Sequence, residues 1–374
     1  MRIEITLRRI AAAARPPLFA VALVAALVGM AASGCVSAGV SVGVRSGPLV
    51  VDLGYFHDEL SPFGDWVWGA EWGWFWRPWG VGTGWVPYSY GRWIYTDWGW
   101  YWDSYWDWGW APFHYGRWRC DPIHGWVWLP GRTWAPSWVA WRHRPGWIGW
   151  APLAPATGWD AGVEIALDGG EPEVAAWSFV PDDRLLDPRL ERRIALRARN
   201  ATLIEATQLA LRFERHDGHA RERGLAPEIV EHSTGRVIER RRIEDTAPSA
   251  ARRLDKVTRE AVRPYRPTVQ AAPARPAPAT VAPPAAPDAR SRARVESWAR
   301  EEQRRLDRAQ QQERRRPPTG VSDGELARRQ EAERRALRNE VERRQKWSAP
   351  ASPKAQPKPK PKPPRSKPPG GEGG

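Results

Sequence analysis

The sequence is poor in the residues that usually build and staple a domain. Only 2 of its 374 residues are cysteine, 2 are methionine and 7 are phenylalanine. Two cysteines, Cys35 and Cys120, are too few for a disulfide framework or a structural zinc cluster. Lysine is absent between residues 35 and 190. The longest apolar run, Leu18 to Ala32, is shorter than the ~20 residues a membrane-spanning helix needs. Also missing are a glycine-rich phosphate loop, a nucleophile elbow and a paired-histidine zinc motif. These absences exclude the common enzyme classes that announce themselves in sequence, and no catalytic residue, metal ligand or cofactor is assigned.

What is abundant is tryptophan, with 26 residues, alongside 37 proline and 33 glycine. Of the tryptophans, 23 fall between Trp66 and Trp159. The net charge of +14 is unevenly spread: residues 1–34 carry +3, residues 35–190 carry −7 and residues 191–374 carry +18. The aromatic part is therefore acidic, and any attraction to phosphate or anionic lipid belongs to the C-terminal half.

Residues 1–34 are expected to be a signal peptide. Arg2, Arg8 and Arg9 precede the apolar run, which has the ~7–15-residue length of a signal-peptide core. The run ends in Ala32-Ser33-Gly34-Cys35, which resembles a bacterial lipobox. That resemblance implies acylation of Cys35 and a lipid anchor in the cell envelope. The following Val36 implies sorting to the outer membrane of a Gram-negative cell. Residues 35–52 are expected to be a tether.

Residues 53–190 carry a repeat of about 25 residues. One element reads Trp72-Gly-Trp-Phe-Trp76, then Trp98-Gly-Trp-Tyr-Trp102, then His124-Gly-Trp-Val-Trp128. A second, in step with it, ends in Gly-Arg-Trp93 and Gly-Arg-Trp118, and its third copy runs from Trp134 to Arg142. Tryptophans at i and i+2 project from one face of a strand, while glycine and proline disfavour helices. The expectation is a mainly β fold: a meander of antiparallel hairpins, repeated about three times, with loops of four or five residues. So many rings exceed what a small core holds, so a binding platform is expected from Trp74, Trp76, Trp85, Trp93, Trp100, Trp102, Trp110, Trp118, Trp126 and Trp128. Arg92 and Arg117 are expected to stack on indoles.

Tyr55 to Trp66, the run GWVPYSYGRWIYTDWGW, WAPSWVAWR and Gly149 to Pro155 together resemble the Trp- and Tyr-rich bacterial family catalogued as domain of unknown function 6600. The likeness extends more weakly to about residue 245. It implies an exported, non-catalytic envelope protein and carries no activity with it.

Residues 191–245 are expected to add a small β unit, with strands at Ala201–Ile204 and Arg236–Ile243. Residues 246–290 read as an extended Pro/Ala-rich linker. Residues 291–347 hold two charged helices, Arg292–Arg316 and Ser322–Lys346, too poor in apolar residues for a coiled-coil seam and so expected to stand solvated. Residues 348–374 form a Lys/Pro tail suited to polyproline II. His114, Cys120 and His124 have conceivable metal spacing, but Cys120 falls in the slot that Tyr95 fills one repeat earlier, which makes it a packing residue. Asp97 and Asp121 fall in turns, where aspartate bonds its own backbone.

Two functions fit these features. The first is a non-catalytic envelope lipoprotein with a structural or protein-interaction role, its membrane contact made by the N-terminal lipid. The second is binding of carbohydrate, peptidoglycan or lipopolysaccharide through exposed rings. Export argues against nucleic acid as a partner.

Overall fold

The computed structural model describes residues 50–69, 71–155, 171–245, 255–271 and 289–347. The signal segment, Cys35, residues 246–254 and 272–288 of the linker and the Lys/Pro tail lie outside them. The chain enters as strand β1 (Val50–Asp52) and helix α1 (Leu53–Leu60). The side chain of Asp52 caps α1 by accepting from the Tyr55 N–H at 3.1 Å.

Four hairpins follow: β2 (Gly64–Gly69) with β3 (Gly73–Pro78), β4 (Gly91–Thr96) with β5 (Gly99–Ser104), β6 (Arg117–Asp121) with β7 (Gly125–Leu129), and β8 (Val139–Arg144) with β9 (Trp147–Pro152). The β4–β5 turn has two residues and the β6–β7 turn three, shorter than the motif spacing suggested. Each hairpin places one tryptophan directly opposite another: Trp66 and Trp76, Trp93 and Trp102, Trp118 and Trp128, Trp141 and Trp150. The repeat is thus fourfold, the first and last copies having diverged. The glycine that opens each GWxW element and its counterpart Gly146 in the fourth hairpin share a structural reason. Gly73, Gly99, Gly125 and Gly146 all close their turns with positive φ, a conformation costly for any other residue.

The hairpins do not form one meander. Sheet order is β2-β3-β7-β6, with the first and third hairpins joined where Trp76 meets Trp128. The second hairpin stands as a separate two-stranded ribbon. The fourth is flanked by β10 (Ser178–Val180) and β11 (Gln208–Ala210) in the order β10-β9-β8-β11. Indoles tie these layers together: Trp93 of the second hairpin lies 4.6 Å from Trp141 and 5.7 Å from Trp150 of the fourth. Large rings reach between sheets more readily than backbone ladders can, so packing overrides sequential pairing.

Beyond the repeat the expectations change most. Ala201–Ile204 belongs to helix α2 (Asn200–Ala206), not to a strand. Leu203 is buried on the core, and Asn200 donates to the carbonyls of Val174 and Trp177 at 2.8 Å, so tertiary contacts overrule strand propensity. Strands β12 (Phe213–His216) and β13 (His219–Glu222) form a hairpin, followed by helix α3 (Pro227–Thr234) and strand β14 (Arg242–Ile243). Part of the supposed linker is folded. Strands β15 (Lys256–Val257) and β16 (Ala261–Arg263) pair in the order β14-β16-β15, and β17 (Thr268–Gln270) lies parallel to β1. The end of the supposed tether, Val50–Asp52, is therefore a paired strand.

Helices α4 (Ala289–Arg315) and α5 (Asp323–Lys346) match the sequence expectation in extent but not in environment. Ser322 caps α5, accepting from the Glu325 N–H at 3.3 Å. Rather than standing solvated, the two helices pack on each other as a hairpin, Leu306 and Leu337 forming a small second core with Ala198. Much of the rest of their seam is polar. Gln310 donates to the Gln330 carbonyl at 2.9 Å, Gln330 returns a bond to the Gln310 carbonyl at 3.2 Å, and Gln310 also reaches Glu333. Glu331 pairs with Arg334 and Arg338.

Candidate functional site

Nine of the ten rings expected to form an open platform are buried: Trp76, Trp85, Trp93, Trp100, Trp102, Trp110, Trp118, Trp126 and Trp128. Trp74 alone is half-buried. The platform is corrected to a core. Indoles fill it efficiently because each removes a large apolar area, and several also place their N–H on a carbonyl. Trp76 Nε1 donates to Leu60 at 3.0 Å, Trp128 Nε1 to Tyr115 at 2.7 Å and Trp118 Nε1 to Pro112 at 2.8 Å.

The two arginines diverge. The Arg117 guanidinium lies 3.5 Å over the ring of Trp138, as stacking requires, though not on its neighbour Trp118. Arg92 instead donates from Nε to Asp103 at 2.8 Å.

The candidate ligand set does not assemble. His114 stacks between Tyr101 and Trp134, with ring centres 4.7 and 5.7 Å away, while His124 bonds Asp121 and packs on Phe75. Among the described residues no group of three or more His, Cys, Asp or Glu stands close enough to hold a metal ion. Cys120 opposes Trp126 as Tyr95 opposes Trp100, so it occupies the aromatic slot. Burial pushes its thiol up to about 12, which leaves it protonated and unreactive. Asp121 accepts from the N–H groups of Ile123 and His124, and these bonds with the His124 ring hold it at about 2 despite its burial. Asp97 behaves differently from expectation, since it accepts from the distant Ile243 N–H at 2.8 Å.

Two buried acids that the sequence did not single out hold the fold together from outside the repeat. Glu222 on β13 reaches the β4–β5 turn, where its carboxylate accepts from the N–H groups of Trp100 and Gly224. Burial pushes it up to about 7. Asp255 accepts from the Tyr101 hydroxyl and from the Tyr265 N–H, with His114 Nε2 3.7 Å away. Burial lowers His114 more than the nearby Asp255 raises it, so the imidazole is neutral near pH 7 and the contact is not an ion pair. No local pattern marks either acid, because both act on strands more than a hundred residues away.

The four-hairpin segment also identifies itself by comparison. Residues 57–157 match the model of a family of unknown function, DUF6600. The segment is similar to that family across all four hairpins. No curated protein and no solved structure matches the chain. The DUF6600 match ends just after β9, so β10, β11, Glu222 and Asp255, which complete and brace the hairpins, lie beyond it.

A surface concavity adjoins this segment. It is a cleft of about 330 Å³ between the β2–β3 turn, the start of β6 and the loop after β7. Trp72, Arg117, Arg132 and Thr133 line it. Arg119 covers the Trp72 ring at 4.5 Å. None of the ten motif tryptophans takes part.

Proposed function

We propose that the chain is a non-catalytic lipoprotein of the bacterial envelope, anchored through Cys35, whose DUF6600-like domain has a structural or protein-interaction role. The observation that supports this reading is the use made of the indoles. The rings that make the sequence conspicuous are spent on a cross-strand ladder and its packing, while Asp97 bonds the Ile243 N–H, Asp103 pairs with Arg92 and Asp121 bonds its own turn. Such a body suits a rigid module presented at a surface. The lipobox-like sequence at Cys35 supports the anchor, and the excess of acid over residues 35–190 against a basic C-terminal half supports contacts made by charge.

Fractionation of the native host and the mass of the N-terminal peptide test this reading. The expected result is an outer-membrane protein beginning at an acylated Cys35, released to the periplasm by Cys35→Ser. An unmodified Cys35 in the native protein overturns the anchor. The alternative role, binding of carbohydrate or peptidoglycan, cannot use the ten motif rings as an open strip, since nine are enclosed.

A further inference from the structure

The cleft beside Trp72 has features of a ligand site that owe nothing to lipid anchorage. Its volume of about 330 Å³ sits at the small end of the ~300–1,000 Å³ typical of ligand sites, enough for a compact unit and not for a folded partner. Part of its floor is bare backbone. Gly116 and Gly131 meet so closely that a Cβ on Gly131 would lie 2.8 Å from the Gly116 Cα. Two arginines line it, Arg117 at the start of β6 and Arg132 in the loop after β7. Arg117 is pre-positioned: its plane is fixed 3.5 Å over Trp138, and Nη1 donates to the Gly116 carbonyl at 2.8 Å. Stacking fixes the plane in which its N–H groups can meet an acceptor, and a guanidinium fork matches carboxylate and phosphate geometry. Arg132 is exposed at the mouth. Thr133 supplies a hydroxyl, and the half-buried Trp72 supplies an aromatic surface.

We propose that this cleft binds an anionic saccharide unit, with Arg117 and Arg132 taking the carboxylate or phosphate, Trp72 the sugar ring and Thr133 a hydroxyl. Free anions lack the ring that Trp72 would cover, and neutral sugars lack the charge that two arginines would meet. Both parts are needed for full affinity.

Calorimetric titration of the purified chain tests this with digalacturonate, glucose 6-phosphate, neutral cellobiose, acetate and inorganic phosphate. The expected result is that at least one of the two anionic sugars binds more tightly than cellobiose and than its matching free anion. Which of them does so identifies the charged group. Arg132→Ala and Trp72→Ala should each weaken that binding by about tenfold or more, as loss of a charge-assisted bond or a stacked ring implies. Arg189→Ala, on a surface arginine outside the cleft, should leave it unchanged. Arg132 is exposed, so its loss leaves the fold intact even if an Arg117 variant fails to fold. Equal binding of cellobiose, equal binding of the free anions, or no binding of either anionic sugar overturns the proposal. Each of these outcomes leaves the proposed function standing, because its anchor rests on Cys35 and its structural role on the enclosed indoles.

Discussion

Trp93 and Trp102 face each other across β4 and β5 with ring centres 4.8 Å apart, and the Trp102 ring lies over Gly91, two residues before Trp93. The same geometry recurs where Trp76 covers Gly64 and Trp128 covers Gly116. The glycine in the Gly-x-Trp motif is thus a steric requirement of the ring opposite. A Cβ at Gly91 would lie 2.6 Å from both the Trp102 ring and the Asp103 carbonyl, neither of which is free to move. Gly91→Ala should destabilise the protein by about 1–3 kcal/mol, the usual cost of overpacking. Gly82→Ala, whose Cβ meets nothing within 4 Å, should change stability by less than ~0.5 kcal/mol. Urea unfolding followed by tryptophan fluorescence measures both, and equal effects would refute the steric account.

This geometry marks how far the sequence could be read. Paired tryptophans at i and i+2, turn glycines and the Gly-x-Trp step are local patterns, so the hairpins were legible. Which hairpins share a sheet was not, because Trp76 meets Trp128 and Trp93 meets Trp141 across long separations that no spacing encodes. The excess of indoles suggested surface rings, yet the core is wide enough to enclose most of them once residues beyond the DUF6600 match add Trp177, Phe179 and Phe213. The polar seam of α4 and α5 was equally hidden. Gln310 and Gln330 bond each other's backbone, which a search for apolar heptads does not detect. The cleft draws on Trp72, Arg117 and Arg132 from separate segments, and only Arg117 had been singled out.

Glu222 gives a pH dependence with a definite sign. Its carboxyl rises from an ordinary 4.5 to about 7 in the folded protein, because burial opposes its charge. The folded state therefore binds the proton more tightly than the unfolded chain. The resulting stability is fully present below about 4.5 and is lost as pH rises through about 7. A shift of this size corresponds to ~3 kcal/mol. Glu222→Gln should remove that slope, so that the stability difference between variant and parent moves by up to ~3 kcal/mol in the variant's favour from pH 4 to pH 8. Glutamine sets its own amide NH2 against one of two N–H donors, so the slope rather than the absolute stability is the readout. His114 and His219, both lowered by burial, act in the opposite sense below their ordinary 6.5, but they are common to both proteins and cancel. Denaturation curves across this range that stay parallel would refute the assignment.

Asp255 fastens residues 255–271 to the hairpins. It accepts from Tyr101 and Tyr265, while the Tyr115 hydroxyl bonds the Pro267 carbonyl at 2.6 Å and Tyr55 meets Tyr265 at 2.7 Å. Tyr101→Phe removes one donor from a buried carboxylate and should cost about 1–3 kcal/mol. The loss should be local first: amides of β16 and β17 should exchange faster, while those of β8 and β9 keep their protection. Hydrogen exchange read by peptide mass resolves the two regions. Uniform loss across both would show that the segment is not a separable strap.

One ion pair within α5 is enclosed where that helix meets the Trp298 and Trp347 rings. Arg344 is 2% exposed, donates from Nε to Glu340 at 2.6 Å, and lies 4.6 and 4.7 Å over the rings of Trp298 and Trp347. Burial lowers its pKa, yet an arginine stays charged near pH 7, so removing the carboxylate leaves an enclosed cation with no counter-charge from Glu340. That situation typically costs about 3–5 kcal/mol, more than a helical hairpin with a polar seam is expected to withstand. Glu340→Ala should therefore release α4 and α5 while the hairpins stay folded. Limited trypsin digestion should cut between residues 289 and 347 much sooner than in the parent chain, with the tryptophan core intact by near-ultraviolet circular dichroism. Glu342→Ala, at an exposed position on the same helix, should leave cleavage unchanged. Replacing Glu340 and Arg344 together by leucine should restore much of the protection, because an apolar pair of similar size no longer buries a charge. If the single alanine variant resists trypsin as well as the parent does, the ion pair is not what holds the helices down.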